Sequence, residues 1–173
     1  EDAAIVLQAI AGPDSKDLST ASVPVPDYSV ALKRDVKGLR VGLPRNYFFD
    51  GVGQEIQEAI RKAARVLEGA GMEVVEVTIP YAEYIVPAWL GVMSVEAAAV
   101  HQGYLRTRAT EYVRNVLDIV LPGNFLPAAT HMKAEKARRM ITQSFKDLLK
   151  QVDVLITPAS PVVAWTPGRL RQF

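Results

Sequence analysis

The sequence predicts an α/β fold: a partial sheet, parallel or mixed, built on one βαβ unit and joined to a mainly helical insertion. Three observations carry that expectation. Strand-like alternation near residues 39–43 gives way to a helical apolar period, then to a β-branched run near 74–79. Residues 81–150 read as mainly helical. A last apolar run near 152–157 returns to strand character before Thr157-Pro158 and a second proline, Pro161.

Taken in order, Asp2 is positioned to cap a helix whose apolar residues Ile5, Val6, Ala9 and Ile10 recur at helical spacing, with Gly12 as its stop. Residues 13–38 hold Pro13, Pro24 and Pro26 among Ser, Thr and Asp, and show no apolar period. So long an irregular connection suggests a segment laid over a larger body. Leu39, Val41 and Leu43 alternate with Arg40 and Gly42, a short strand closed by Pro44. A turn-rich loop from Asn46 to Gly53 follows.

From Gln54 to Ala70, the set Ile56, Ile60, Ala63, Ala64 and Leu67 keeps the 3.6-residue period. Glu58 stands four residues before Lys62, the favourable order for a helical ion pair. Gly69 and Gly71 end this helix, and Val74, Val75, Val77 and Ile79 form a strand stopped by Pro80. Strand, helix and strand in this order predict parallel neighbours joined by a right-handed crossover.

In the helical region, Pro87 is expected to break the first helix, and Ser94 with Glu96–Ala99 to restart it. Thr110 to Val120 forms another helix, ended by Pro122-Gly123. A long helix then runs from Pro127 to Lys150, with Met132, Ala137, Ile141, Phe145 and the pair Leu148/Leu149 as its inner stripe. Val152, Val154 and Ile156 give the final strand.

Composition narrows function without choosing it. A chain of 173 residues buries roughly 70% of its unfolded surface, enough for one core. Lys+Arg 20 against Asp+Glu 19 leaves a net charge of +1, which gives no general reason to bind nucleic acid or an anionic membrane. Zero cysteines exclude a disulfide scaffold, a thiol nucleophile and Cys-ligated metal. No uninterrupted apolar run reaches the length of a membrane span. The start on Glu1-Asp2 carries no signal-peptide pattern and suggests a piece of something longer.

Self-sufficient chemistry is hard to find. His131 has only Glu135 at helical spacing, and His101 has no partner at metal-ligand spacing, so no metal site is expected. Ser94 and Ser160 lie outside any nucleophile elbow and lack a neighbouring base. Gly51-x-Gly53 before a helix reads as a turn, because the dinucleotide and P-loop patterns are both incomplete. Lys133, Lys136, Arg138 and Arg139, interrupted by Glu135, read as a solvated helix face. No catalytic residue and no cofactor site emerge.

Four segments, read together, resemble the amidase signature family of serine amidohydrolases. They are the opening Glu1–Gly12 with Asp14 and Asp17, the strand Lys37–Arg45 with the strand Glu73–Pro80, the run Val95–His101, and Val152–Pro161. The resemblance implies hydrolysis of a carboxylic amide to an acid and ammonia or an amine, without a cofactor. It places the nucleophilic Ser, the bridging Ser and the Lys base upstream of Glu1, and a further core segment beyond Phe173. The chain is accordingly expected to be an inactive internal-to-C-terminal portion of an amidase, with a small amide as the complete enzyme's substrate.

What remains for this chain is substrate-side wall. The family varies across 81–131, so Trp89, Met93, His101 and Phe125 are candidate wall residues within the helical insertion 81–150. Simple packing competes with that role for Trp89, Met93 and Phe125. Trp89 and Met93, four apart, share one helix face. The stretch Ser94–Arg114 looks more like free-standing amidases than the A subunit of glutamyl/aspartyl-tRNA amidotransferases, which is the alternative. A non-catalytic partner-binding domain is the alternative from another class. Exposed sheet edges predict self-association, and the cysteine-free composition agrees with a cytoplasmic enzyme.

Overall fold

The computed structural model describes residues 1–17 and 19–164. The chain divides into two units, Glu1–Lys37 and Gly38–Phe173.

In the first unit, α1 spans Asp2–Ile10 and α2 spans Tyr28–Ala31. Asp2 lies inside α1 rather than capping it; Glu1 occupies the cap position without a side-chain bond. The physical reason is simple: an acidic residue is also favourable in the first turn, where it faces the positive end of the helix dipole. The stretch expected to be irregular contains α2, a short helix capped by Asp27, whose carboxylate accepts from the Ser29 and Val30 N–H groups. Ser29 also donates its hydroxyl to Asp27, and these contacts hold that carboxyl below its ordinary pKa. The Gln8 side chain accepts from Tyr28 N–H at 2.9 Å, tying α1 to the start of α2.

The second unit holds the sheet. Strands β1 (Arg40–Pro44), β2 (Glu73–Val77) and β3 (Val154–Leu155) pair in the order β2-β1-β3, all parallel. β1 is central, with Val41 opposite Val74 on one side and Val154 on the other. Its burial on both flanks explains the apolar Val41, Gly42 and Pro44. At Gly42 the strands pack closely: a Cβ there would lie 2.6 Å from Leu155 Cδ2 and force that side chain to shift. β3 is shorter than the apolar run suggested, since only Val154 and Leu155 pair with β1 before Pro158 ends the run.

Helix α3 (Gln54–Gly69) joins β1 to β2, with Gly53 at its N-cap. Glu58 accepts from Gln54 Nε2 instead of pairing with Lys62. After β2 come a 3₁₀ turn, Ala82–Tyr84, and the long helix α4 (Ile85–Thr107). Pro87 does not break this helix. It sits in the first turn, where its missing N–H has no intrahelical acceptor to lose. With the break gone, the run Ala82–Thr107 is long and apolar enough to cross a membrane by length and composition alone, contrary to the expectation of two shorter pieces.

A 3₁₀ turn at Ala109–Glu111, α5 (Arg114–Val120) and another 3₁₀ turn at Leu121–Asn124 follow, so the helix expected from Thr110 begins later. Helix α6 (Ala128–Leu148) packs along α4. Its inner face runs through Ala134, Ala137, Ile141, Phe145 and Leu148, while Met132 and Leu149 point outward. The core gathers Ile79, Ala82, Leu148 and Val152, with Phe48, Ile85 and Phe145 packed around them.

Candidate functional site

Two grooves of the second unit lie against the sheet and helices. The larger, about 680 Å³, opens at the carboxyl end of β2 between Arg45, Thr78, Tyr81 and the α6 residues Ser144 and Asp147. The carboxyl ends of parallel strands are where open α/β sheets place their ligands. Tyr81 and Tyr47, which follow β2 and β1, both adopt the left-handed backbone at φ 63° and 62°. Non-glycine residues in that region carry strain of about 1–3 kcal/mol and mark constrained positions. Nothing in the sequence signals them, because Tyr has no preference for that conformation.

Asn46 fixes the same corner. Its side chain bonds both backbone groups of Ile79, and Arg45 Nε donates to Thr78 Oγ1 at 2.9 Å. Gly53 N–H donates to the Pro161 carbonyl at 2.9 Å, joining the loop after β1 to the segment after β3. Gly51 takes a positive φ of 68°, so the Gly51-x-Gly53 pair is the turn the sequence suggested.

The second groove, about 340 Å³, lies between α4 and α6. Trp89 and Met93 both line it, together with Glu96, Arg138 and Ile141. Trp89 is 55% exposed and Phe125 82% exposed, so neither packs in the core. Phe125 ends the 3₁₀ turn at Leu121–Asn124, away from this groove's lining. His101 turns elsewhere: its Nδ1 lies 2.7 Å from the Tyr112 hydroxyl, and the two rings meet edge to face. The structure thus brings two of the four candidate wall residues together and leaves His101 and Phe125 apart.

Several other polar side chains have structural partners. Ser144 Oγ donates to the Ile141 carbonyl and Ser160 Oγ to the Val162 carbonyl. Among the described residues, no serine hydroxyl bonds to a Lys or His side chain. Glu135 binds Arg138 at 3.0 Å and Arg139 at 3.9 Å, which makes the basic cluster a salt-bridged helix face. His131 Nδ1 lies 3.3 Å from the Gly91 carbonyl, a contact between helices rather than a ligand position. Among the described residues no group of three metal-ligating side chains converges.

The Amidase family model aligns with residues 1–172. This chain belongs to the Amidase family.

Relatives agree along nearly the whole sequence. An amidase of Pseudomonas putida is 38% identical over 168 residues, covering 97% of this chain and 36% of its own length. The A subunit of the glutamyl-tRNA(Gln) amidotransferase of Akkermansia muciniphila is 35% identical over 188 residues, covering 95% of this chain and 40% of that protein. A solved vestigial protein complex bearing on the origins of an s-triazine catabolic enzyme superposes with a TM-score of 0.82 at 28% identity. The match covers 95% of this chain and 35% of that one. This amidase-family chain therefore spans about two fifths or less of the length of these relatives.

Proposed function

We propose that this chain is the part of an amide hydrolase that supplies strands β1–β3 and a helical surface on the substrate side. The single observation behind this reading is the family match over residues 1–172. Hydrolysis of an amide by a serine needs an activated hydroxyl, a base to take its proton and donors for the oxyanion. Ser19 and Ser29 give their hydroxyl hydrogens to carboxylates and Ser144 and Ser160 to carbonyls, and among the described residues no serine hydroxyl bonds to a Lys or His side chain. The chain by itself is therefore inactive, and without nucleophile and base it contributes binding alone.

Ammonia release from simple aryl and aliphatic amides tests this directly. The 173-residue chain should show no turnover above a heat-treated control. Release that depends on a serine of this chain would overturn the reading. A polypeptide of the relatives' length that contains this sequence should release ammonia from the same amides.

Trp89 and Met93, on one helix face and in one groove, support a wall role for the pair. Phe125 and His101 are assigned to the same substrate side only by their place in the helical region. The second reading is the A subunit of a tRNA-dependent amidotransferase, favoured by the 35% identity to the Akkermansia muciniphila protein. Turnover confined to glutamine would favour it, whereas turnover of aryl amides would favour the free-standing amidase. Among the described residues no strand pairs with the outer edge of β2, which supports self-association.

A further inference from the structure

Helix α4 carries a second apolar stripe. Val86, Leu90, Met93, Ala97, Val100 and Tyr104 recur in alternating steps of four and three residues, the heptad spacing of a helix–helix seam. The inner face of the helix lies elsewhere: it buries Ala88, Val92 and Ala98, with α6 and the turn Leu121–Asn124 packed along it. Val86, Leu90, Val100 and Tyr104 are 48%, 43%, 75% and 56% exposed. A surface helix of a globular protein carries polar residues on its outer face, and a helix apolar on both faces is one that is covered on both. At about 1.5 Å per residue the stripe runs about 27 Å, long enough to seat a complete helix of average length.

Possible occupants differ in what they ask of the flanks. A lipid surface asks for Lys and Arg beside the apolar face. The residues beside this stripe are Pro87, Trp89, Ser94, Glu96, His101 and Gly103, with no Lys or Arg among them. A second copy laid antiparallel on the same seam would be centred by its two-fold axis between Met93 and Ala97, which sets Glu96 beside its own counterpart. Like charges so placed oppose that pairing. The remaining occupant is protein of the same family. The amidase-family relatives above are matched over 36%, 40% and 35% of their lengths, so three fifths or more of each lies outside the match.

From this we infer that the α4 stripe is the docking seam for a helix from that remaining part of an amidase-family polypeptide, either in one chain with this sequence or supplied separately. The inference rests on reading this chain as part of an amide hydrolase. Ala97 is the one small side chain in the seam, so the docking helix should present a bulky apolar residue there to fill the hole.

Cysteine labelling tests the seam, because the chain contains no cysteine of its own. Leu90→Cys and Val100→Cys each introduce a single thiol, whose reaction with N-ethylmaleimide is read by mass spectrometry of the α4 peptide. In the full 173-residue chain at low concentration, both thiols should react within about threefold of their rate in urea, since access governs the rate of an otherwise ordinary thiol. The second sample is the Pseudomonas putida amidase with this sequence in place of its matching 168 residues. There both thiols should react at least about tenfold more slowly than in the chain alone, the behaviour of a site reached only by local unfolding. A chimera that fails to unfold cooperatively gives way to the Pseudomonas putida amidase itself, with cysteine at the positions aligned with Leu90 and Val100 and the same slow labelling expected. Equal rates in the chain and in the folded amidase would overturn the proposal. So would slow labelling of the dilute chain alone, labelling slowed by its own concentration, or labelling slowed by phosphatidylserine vesicles. None of these outcomes measures hydrolysis: an amidase that releases ammonia with an open seam would lose the seam and keep the amide-hydrolase reading.

Discussion

Asn46 holds both backbone groups of Ile79: its Nδ2 donates to the Ile79 carbonyl and its Oδ1 accepts from the Ile79 N–H, each at 3.0 Å. β1 and β2 have ended by this point, so the side chain adds one further rung where the backbone ladder stops. Ile79 is fully buried, and its amide groups have no water to replace a lost partner.

Asn46→Ala should therefore destabilise the chain by about 2 kcal/mol, the cost of leaving buried donors and acceptors unpaired. Urea denaturation measures it. Asn46→Asp keeps only the acceptor and sets a carboxylate against a carbonyl, so its cost should be no smaller at neutral pH. An alanine variant as stable as the parent would show the bonds to be dispensable.

Glycines at helix contacts give a second test. At Gly91 an added methyl would press on Ala134 Cβ, whereas at Gly123 it would overlap the Ser94 carbonyl group outright. Gly91→Ala should cost about 1–3 kcal/mol as overpacking, and Ala134→Gly in the same chain should restore part of it. Gly123→Ala pushes chiefly against backbone and should cost more than Gly91→Ala. Thermal unfolding of the single and double variants separates the two cases.

Acidification should loosen specific turns. Hydrogen bonds from the Ser29 hydroxyl, then Val30 N–H, hold Asp27 below the ordinary carboxylate value. Lys150, then Gln143, does the same for Asp147 at the end of α6. A carboxyl with a lowered folded pKa contributes stability that is complete above its unfolded value, near 3.9, and lost as pH falls through the folded value. The α2 cap and the last turn of α6 should persist at about pH 5 and weaken below about pH 4. Carbon-detected titration of the two carboxyls, alongside amide exchange of Ser29 and Val30, follows this.

Association through the sheet edge has its own variant. Glu73 N–H donates to Leu39 and Val77 O accepts from Arg45, so residues 73, 75 and 77 face β1 and the backbone groups of Val74 and Glu76 face outward. Val74→Pro removes an outward donor without touching the β1–β2 ladder. Light scattering at high concentration should show the parent associating and the proline variant monomeric. A parent monomeric at all concentrations would refute association through this edge.

The sheet is legible in the sequence because its strands obey a period of two and its crossover helix a period of 3.6, and both survive any surroundings. Pro87 misleads because its cost depends on where the helix starts, and no residue before Ile85 announces that start. The apolar period phases α6 through Met132, yet the small Ala134 sets the inner face, since close approach to Gly91 selects size over hydropathy. Trp89 and Met93 are recoverable from their spacing. The roles of Asn46 and Tyr81 depend on contacts made across 33 residues and on a backbone angle, and neither leaves a local pattern.

The bond from Arg40 N–H to Asp153 closes a loop of 113 residues, whereas β1 and β2 meet through a single helix. Closing a long loop costs more chain entropy than closing a short one, and non-local pairings slow folding. The β1–α3–β2 unit should therefore assemble early, with β3 arriving after α4 and α6 have brought it back. Weakening β3, for instance by Leu155→Ala, should then speed unfolding while leaving the folding rate nearly unchanged. The last strand laid into the sheet is the first to leave it.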